Sequence, residues 1–307
     1  MKNIILFVML TVIVFQVRAE EVSIIVNGCN LKGTLETPKS EKPIDVVLLI
    51  SGSGPTDRDG NSSGKNNSLK MLSDLFYKNG VASLRYDKRG IGASDKMNEA
   101  DLTFDLYIND VVEWVKFLKK DKRFSRIIIA GHSEGSLLGM IAAKRTDVYK
   151  YISLCGAGQP AYSIISEQLK KSGLPQDQID QSDKLLDSLR NGYNIKNYPP
   201  ILYSLFRPSI QKYLISWIQY DPIDEISKLT IPILIVGGTT DIQVDTLDAV
   251  KLNKACKNSE LVIIKDMNHI LKEVGTKDRS LNIASYGNPA LQLSVPLCSA
   301  LIEFIKK

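Results

Sequence analysis

Histidine is the scarcest useful residue in this 307-residue sequence, with two copies, and that scarcity narrows its chemistry at once. The four cysteines, Cys29, Cys155, Cys256 and Cys298, form no CxxC pair and no cysteine/histidine cluster, which excludes a structural zinc site. They are also too scattered for a disulfide scaffold. Cys256 and Cys298, both expected in helices, could pair in an oxidising compartment, and Cys155 ends an apolar strand and reads as a buried thiol. A strong charge of either sign is missing. The net charge is +5, and it falls to +3 once Lys2 and Arg18 leave with residues 1–19. So mild a balance implies neither nucleic acid nor an anionic membrane surface as partner. There is no internal repeat and no low-complexity segment. With 44% hydrophobic and 24% charged residues the composition is that of a globular protein, not a disordered or many-span membrane chain.

The one extended apolar run, Ile4 to Val17, follows the positive Lys2 and leads into Val17-Arg18-Ala19, a small-residue pattern suited to a signal peptidase. It is shorter than the ~20 residues that span a bilayer. The expectation is a leader over residues 1–19 cut to leave Glu20 first, with an uncleaved anchor as the alternative. No cysteine follows the run, which argues against lipoprotein attachment. Export to a periplasm or to the exterior follows, with no stable membrane span after cleavage.

Beyond the leader, Val22 to Val26 and Leu31 to Thr37 read as a hairpin turning at Asn27-Gly28. Then strand and helix alternate. Strands are predicted at Val46–Ile50, Val81–Tyr86, Ile127–Ile129 and Tyr151–Leu154, with helices over 68–78, 101–120 and 133–144 between them. Such alternation makes a mostly parallel sheet covered by helices on both faces, with the hairpin as an antiparallel edge. From 157 to 228 the alternation stops, and three helical segments near 161–172, 178–191 and 200–219 form an insertion. The sheet resumes at Ile233–Val236, followed by a helix near 245–256 and a strand at Leu261–Ile264. A closing helix is expected from Asn288-Pro289 to Lys307. Residues 20–156 and 229–307 are thus one α/β core, and 157–228 a helical cap inserted before the strand that carries the acid.

The chemistry gathers at Gly131-His132-Ser133-Glu134-Gly135, which follows one predicted strand and opens a helix. That is the context a G-x-S-x-G nucleophile elbow requires. The turn is tight, so the positions two before and two after the serine must be small, and the helix N-terminus favours developing negative charge. A hydroxyl needs a base. His132 is held beside the nucleophile with its side chain directed away, which leaves His269, in the loop after the last strand. The base needs a carboxylate to fix its tautomer. Asp241, after Ile233–Val236, is the candidate, with Asp245 as runner-up although it resembles a helix N-cap, and Asp266 as a weaker rival.

An oxyanion hole would take one N–H from Glu134 and another from the loop Ser51-Gly52-Ser53-Gly54, with Ser53 favoured over Gly54. One such donor is worth ~3 kcal/mol of barrier. Two glycine-rich stretches are decoys. Gly60–Asn66 is one residue short of a phosphate loop and lacks its Ser/Thr, and Arg89–Ser94 lacks the third glycine of a dinucleotide fingerprint. The aromatics Tyr203, Phe206, Tyr213, Trp217 and Tyr220 fall near one helical face, interrupted by Pro208. They pack the cap on the core or line an acyl pocket over Ser133.

Taken together, SGSGPTDRDGN (51–61), LRYDKRGIGAS (84–94), GHSEG (131–135), GGTTDIQV (237–244) and MNHIL (267–271) resemble bacterial α/β-hydrolase-fold carboxylesterases. The resemblance covers 45–155 and 230–306 and is weakest in the cap. It implies the α/β-hydrolase fold, with Ser133, Asp241 and His269 as nucleophile, acid and base, and Asp87-Lys88-Arg89-Gly90 as a structural loop beside them. The implied activity is hydrolysis of small-molecule carboxylic esters through an acyl-enzyme, with no metal or organic cofactor. Serine peptidases of the aminopeptidase type share the fold, so a peptidase or acyl-amide hydrolase is the alternative. Acidic cap residues such as Glu167, Asp177, Asp180 and Asp183, if aimed at a substrate amine, would favour it. A catalytically silent binding protein is a third reading.

Overall fold

A computed structural model describes residues 18–307. The expected leader lies almost wholly outside the described residues. Its last two positions, Arg18 and Ala19, lie inside them: the Arg18 carbonyl accepts from Thr37 N–H, and Ala19 pairs with Glu36.

Strands β1 (Ala19–Val26) and β2 (Cys29–Glu36) form the hairpin, turning at Asn27 and Gly28, both at positive φ as such a two-residue turn demands. β3 (Ile44–Ile50), α1 (Ser68–Lys78), β4 (Ala82–Tyr86), α2 (Phe104–Lys119), β5 (Phe124–His132), α3 (Glu134–Arg145) and β6 (Lys150–Leu154) follow in alternation. α2 starts later than its periodicity suggests. Thr103 caps it by accepting from Leu106 N–H, and residues 99–101 form a separate 3₁₀ turn.

Five helices separate β6 from the next strand: α4 (Ala161–Lys170), α5 (Gln176–Arg190), α6 (Tyr203–Phe206), α7 (Pro208–Ile218) and α8 (Pro222–Ser227). The third segment expected from sequence is therefore broken. Pro208 and Pro222 each begin a new helix, where a missing N–H costs nothing. Then come β7 (Ile233–Gly238), α9 (Thr246–Ala255), β8 (Ser259–Ile264), α10 (Arg279–Ala284) and α11 (Val295–Lys306). The closing helix begins at Val295 and not at Asn288, because the preceding stretch is used in pairing: Leu293 bridges to Lys272, whose Nζ donates to the Leu291 carbonyl.

The sheet order is β1-β2-β4-β3-β5-β6-β7-β8, parallel from β4 to β8, with the hairpin antiparallel at one edge. Period-2 alternation along β3 sends Val46, Leu48 and Ile50 into one apolar cluster with α2 and α3, and Val47 and Leu49 into another with α1 and α11. All five are buried, each worth ~2 kcal/mol of transfer free energy. The strand order reverses around β3, and the crevice outside the carboxyl ends of β3 and β5 is where such sheets hold ligands. None of the described helices is long and apolar enough to cross a membrane.

Candidate active site

β5 ends in the elbow foreseen from sequence. Ser133 sits at φ 55°, a left-handed backbone that a residue with a side chain adopts only when its surroundings enforce it. Those surroundings leave no room for side chains on either flank. A Cβ on Gly131 would lie 2.1 Å from the Gly135 carbonyl oxygen, and one on Gly135 would lie 2.6 Å from the carbonyl oxygens of Ile50 and Ser51. Ser133 precedes α3, and Glu134 is the first helical residue, so its N–H has no acceptor of its own within the helix.

His269, buried in the loop after β8, meets Asp241, buried after β7, with Nδ1 to Oδ2 at 2.8 Å. The other oxygen of Asp241, Oδ1, accepts the backbone N–H groups of Gln243 (2.8 Å) and Val244 (3.0 Å). Both carboxylate oxygens are therefore fixed, and Nδ1 of His269 is the protonated ring nitrogen facing Oδ2. That leaves Nε2 as the basic atom. Asp245 instead caps α9, accepting from Leu247 N–H. Among the described residues, Ser133 Oγ makes no hydrogen bond to His269; such contacts commonly tighten only when substrate binds.

His132 has a part the sequence did not disclose. Its Nε2 donates to the backbone carbonyl of His269 at 2.7 Å, with the two rings 4.8 Å apart. Burial, and then the neighbouring His269, push its pKa down to about 4, so it is neutral with the proton on Nε2. Thus the residue before Ser133 holds the main chain of His269. Cys155, buried as expected, follows β6 at φ 50°. Burial and then the Asp241 carboxylate raise its thiol well above the ordinary range.

One trio among the described residues could approach a metal, Cys155, Asp241 and His269, with ligand atoms within 4.8 Å of one another. A metal there would need the thiolate that this environment disfavours and would break the His269–Asp241 bond. All four cysteines are free thiols. Cys256 stands at the C-cap of α9, outside the helix proper, and does not meet Cys298.

The loop after β3 lies against the elbow. A Cβ on Gly52 would stand 3.2 Å from Ser133 Cβ. Asp87, after β4, clamps that loop by accepting from Arg58 N–H (2.8 Å) and Arg58 Nε (3.0 Å), and is fixed within its own loop by Ala93 N–H (2.9 Å). Gly92 has no room for a Cβ because the Asp87 carboxylate occupies the space. The stretch that imitates a phosphate loop uses its amides internally. Asn61 Oδ1 accepts from Asn66 and Asn67 N–H, and Asp57 Oδ1 from Asp59 and Asn61 N–H.

Ser53, Ser133 and Glu134 open onto a cavity of about 50 Å³ whose walls include Leu137, Ile164, Ile165, Trp217 and Val244, with Gln159, Gln168 and Gln243 as its polar groups. Trp217 stacks on Phe104 of α2 at 5.8 Å, and Tyr213 and Tyr220 pack on the same ring. The aromatic face foreseen in the insertion therefore docks it on the core, and one of its members also lines the cavity. Tyr203 lies outside that face and is exposed.

An eight-stranded, mostly parallel sheet with an elbow serine after its fifth strand is the α/β-hydrolase fold, and solved structures share it. Est1E from Butyrivibrio proteoclasticus, solved with ferulic acid bound, matches with a TM-score of 0.63 at 24% identity over 93% of this chain and 100% of that one. The Pyrococcus furiosus esterase Pf2001 matches at 0.62 and 17% identity, over 94% and 90%. In sequence, residues 63–189 match the family model described as serine aminopeptidase, S33. Esterase EstD of Thermotoga maritima is 31% identical over 259 residues, 82% of this chain. The chain spans 60% of that relative's length.

Proposed function

We propose that this protein hydrolyses carboxylic esters by two-step acyl transfer. His269 Nε2 takes the proton as Ser133 Oγ attacks the ester carbonyl. The N–H groups of Ser53 and Glu134 hold the resulting oxyanion, and Asp241 stabilises the imidazolium. The alcohol leaves with the proton from His269, and water, deprotonated by the same nitrogen, releases the acid. The observation that carries this reading is the buried, doubly anchored Asp241–His269 pair beside an elbow serine that opens onto an apolar cavity.

The name of the matching family favours a second reading, an aminopeptidase, which must hold a free amine. The cavity's lining speaks for esters. Its carboxylate is Glu134, whose oxygens are taken by Tyr213 and Lys88. Of the acidic residues in the insertion, Asp183 is bonded to Ser166 and Lys170 and Asp180 to Gln176, and neither these two nor Glu167 and Asp177 line the cavity. Its small volume, about 50 Å³, suits short acyl groups. In this reading residues 157–228 are the cap that sets acyl length on a core of 20–156 and 229–307, and residues 1–19 direct export to a periplasm or the exterior.

A p-nitrophenyl ester series from acetate to palmitate, run beside aminoacyl-p-nitroanilides, tests the reaction. Turnover is expected to peak at acetate to butyrate and to fall at least 10⁴-fold in Ser133→Ala, with the anilides inert. Anilide turnover at comparable efficiency would shift the assignment to the peptidase. N-terminal sequencing of the exported protein is expected to begin at Glu20.

A further inference from the structure

Lys88 is a buried lysine, its side chain 1% exposed, in the loop after β4. Its Nζ donates to the Gly52 carbonyl at 2.5 Å and to Glu134 Oε1 at 3.4 Å, and lies 5.1 Å from the centre of the Tyr107 ring. The second oxygen of Glu134 accepts from the Tyr213 hydroxyl. A buried ion pair of this kind is seldom a net source of stability compared with apolar side chains of similar size. Its partners suggest a different use.

The Gly52 carbonyl belongs to the peptide unit whose N–H is that of Ser53. In a planar trans peptide, and none of the described bonds is cis, carbonyl and N–H point in opposite directions. Whatever grips the oxygen therefore aims the hydrogen. Ser53 lines the cavity beside Ser133, whereas Lys88 does not, so the grip is applied from behind. The same ammonium holds the side chain of Glu134, whose own N–H is the other donor.

We propose that Lys88 is a positioning residue that keeps both oxyanion donors in register, an inference that rests on the ester-hydrolase reading above. The negative charge on the carbonyl oxygen grows only as Ser133 attacks, so misaimed donors weaken the transition state far more than the bound ester. The loss from removing Lys88 thus falls on kcat.

The test uses the full-length chain, p-nitrophenyl acetate, and an aryl trifluoromethyl ketone that adds to Ser133 and mimics the oxyanion. Lys88→Met alone strands a buried carboxylate, so the informative variant is Lys88→Met with Glu134→Gln, which keeps both backbone N–H groups. It is expected to lower kcat about 100-fold, to leave KM within about threefold, and to weaken the ketone by a factor matching the loss in kcat. A folded double variant that turns over within threefold of wild type overturns the inference, as does a rise in KM with kcat unchanged. If the double variant does not fold, the wild type decides by amide NMR. On ketone binding the N–H protons of Ser53 and Glu134 are expected to move downfield, and an unmoved Ser53 overturns the inference. Failure of the underlying reading looks different: wild type would show neither ester turnover nor labelling of Ser133 by a fluorophosphonate.

Discussion

The sheet and the segment inserted between β6 and β7 are both rich in apolar residues, yet they are held in different ways. Around the sheet, β3 and β5 are buried on both faces and glycines sit where no other residue fits. The insertion meets the core along a seam of aromatic rings around Phe104 and a few polar bonds. Phe104 N–H donates to Ser216 Oγ, Tyr220 O–H to Asp105, Tyr213 O–H to Glu134, and Gly158 N–H to Asp248. Ser133, Asp241 and His269, to which we assign the chemistry, lie at the ends of sheet strands or in the loops that follow them, and part of the cavity wall lies on the insertion. On the proposed assignment, the nucleophile sits where packing leaves no room, and substrate fit is set partly where it leaves more.

Substitutions can break that contrast. The largest effect is expected from Gly131→Ala, whose Cβ collides with backbone and not with a side chain that could turn aside. A loss of about 4 kcal/mol or failure to fold is expected, read by urea denaturation. A loss below 1 kcal/mol would mean the elbow is more pliant than its geometry indicates.

Next comes acid sensitivity seated at His132. Its pKa is about 4 when folded and near 6.5 when unfolded, so the unfolded chain binds more protons between those values. Stability should therefore be intact above pH 6.5 and fall by about 3 kcal/mol as pH drops to 4. Carboxylates add to any acid loss, so the comparison is with His132→Asn, whose stability should decline less over the same window. Parallel declines would sink the assignment.

On the insertion, Trp217→Ala should cost about 2 kcal/mol, since the ring is only partly buried, and should lengthen the preferred acyl chain by two or more carbons. An unchanged chain-length profile would remove Trp217 from the acyl wall. The smallest effect belongs to Tyr203→Ser, with stability expected within about 0.5 kcal/mol of wild type and kinetics unaltered.

Much of this was legible in sequence for the same reason the two regions differ. Buried parallel strands such as Val46–Ile50 are uninterrupted apolar runs, and the elbow's glycines stand at fixed offsets from Ser133, so both are local patterns. Asp241 and His269 could be chosen because few candidates followed a strand. In the insertion the helices expected at 161–172 and 178–191 are there, but the segment expected over 200–219, its aromatic face already interrupted at Pro208, is two helices, with a further one starting at Pro222. The grip of His132 on His269 joins residues 137 apart, and the bonds of Lys88 reach back 36 residues and forward 46. Partners that distant leave no spacing to read, which is why these supporting roles emerged only from three dimensions.

The bond from Tyr213 to Glu134 also matters to anyone who would exchange one insertion for another. The core is not a neutral platform that accepts any helical lid. It presents a buried carboxylate oxygen that expects a hydroxyl from above. A graft lacking one would leave that oxygen unsatisfied, at a cost of about 1–3 kcal/mol, beside the backbone N–H we assign to the reacting oxygen. An exchange of the insertion aimed at substrate range is therefore expected to need that hydrogen bond as well as the aromatic seam around Phe104.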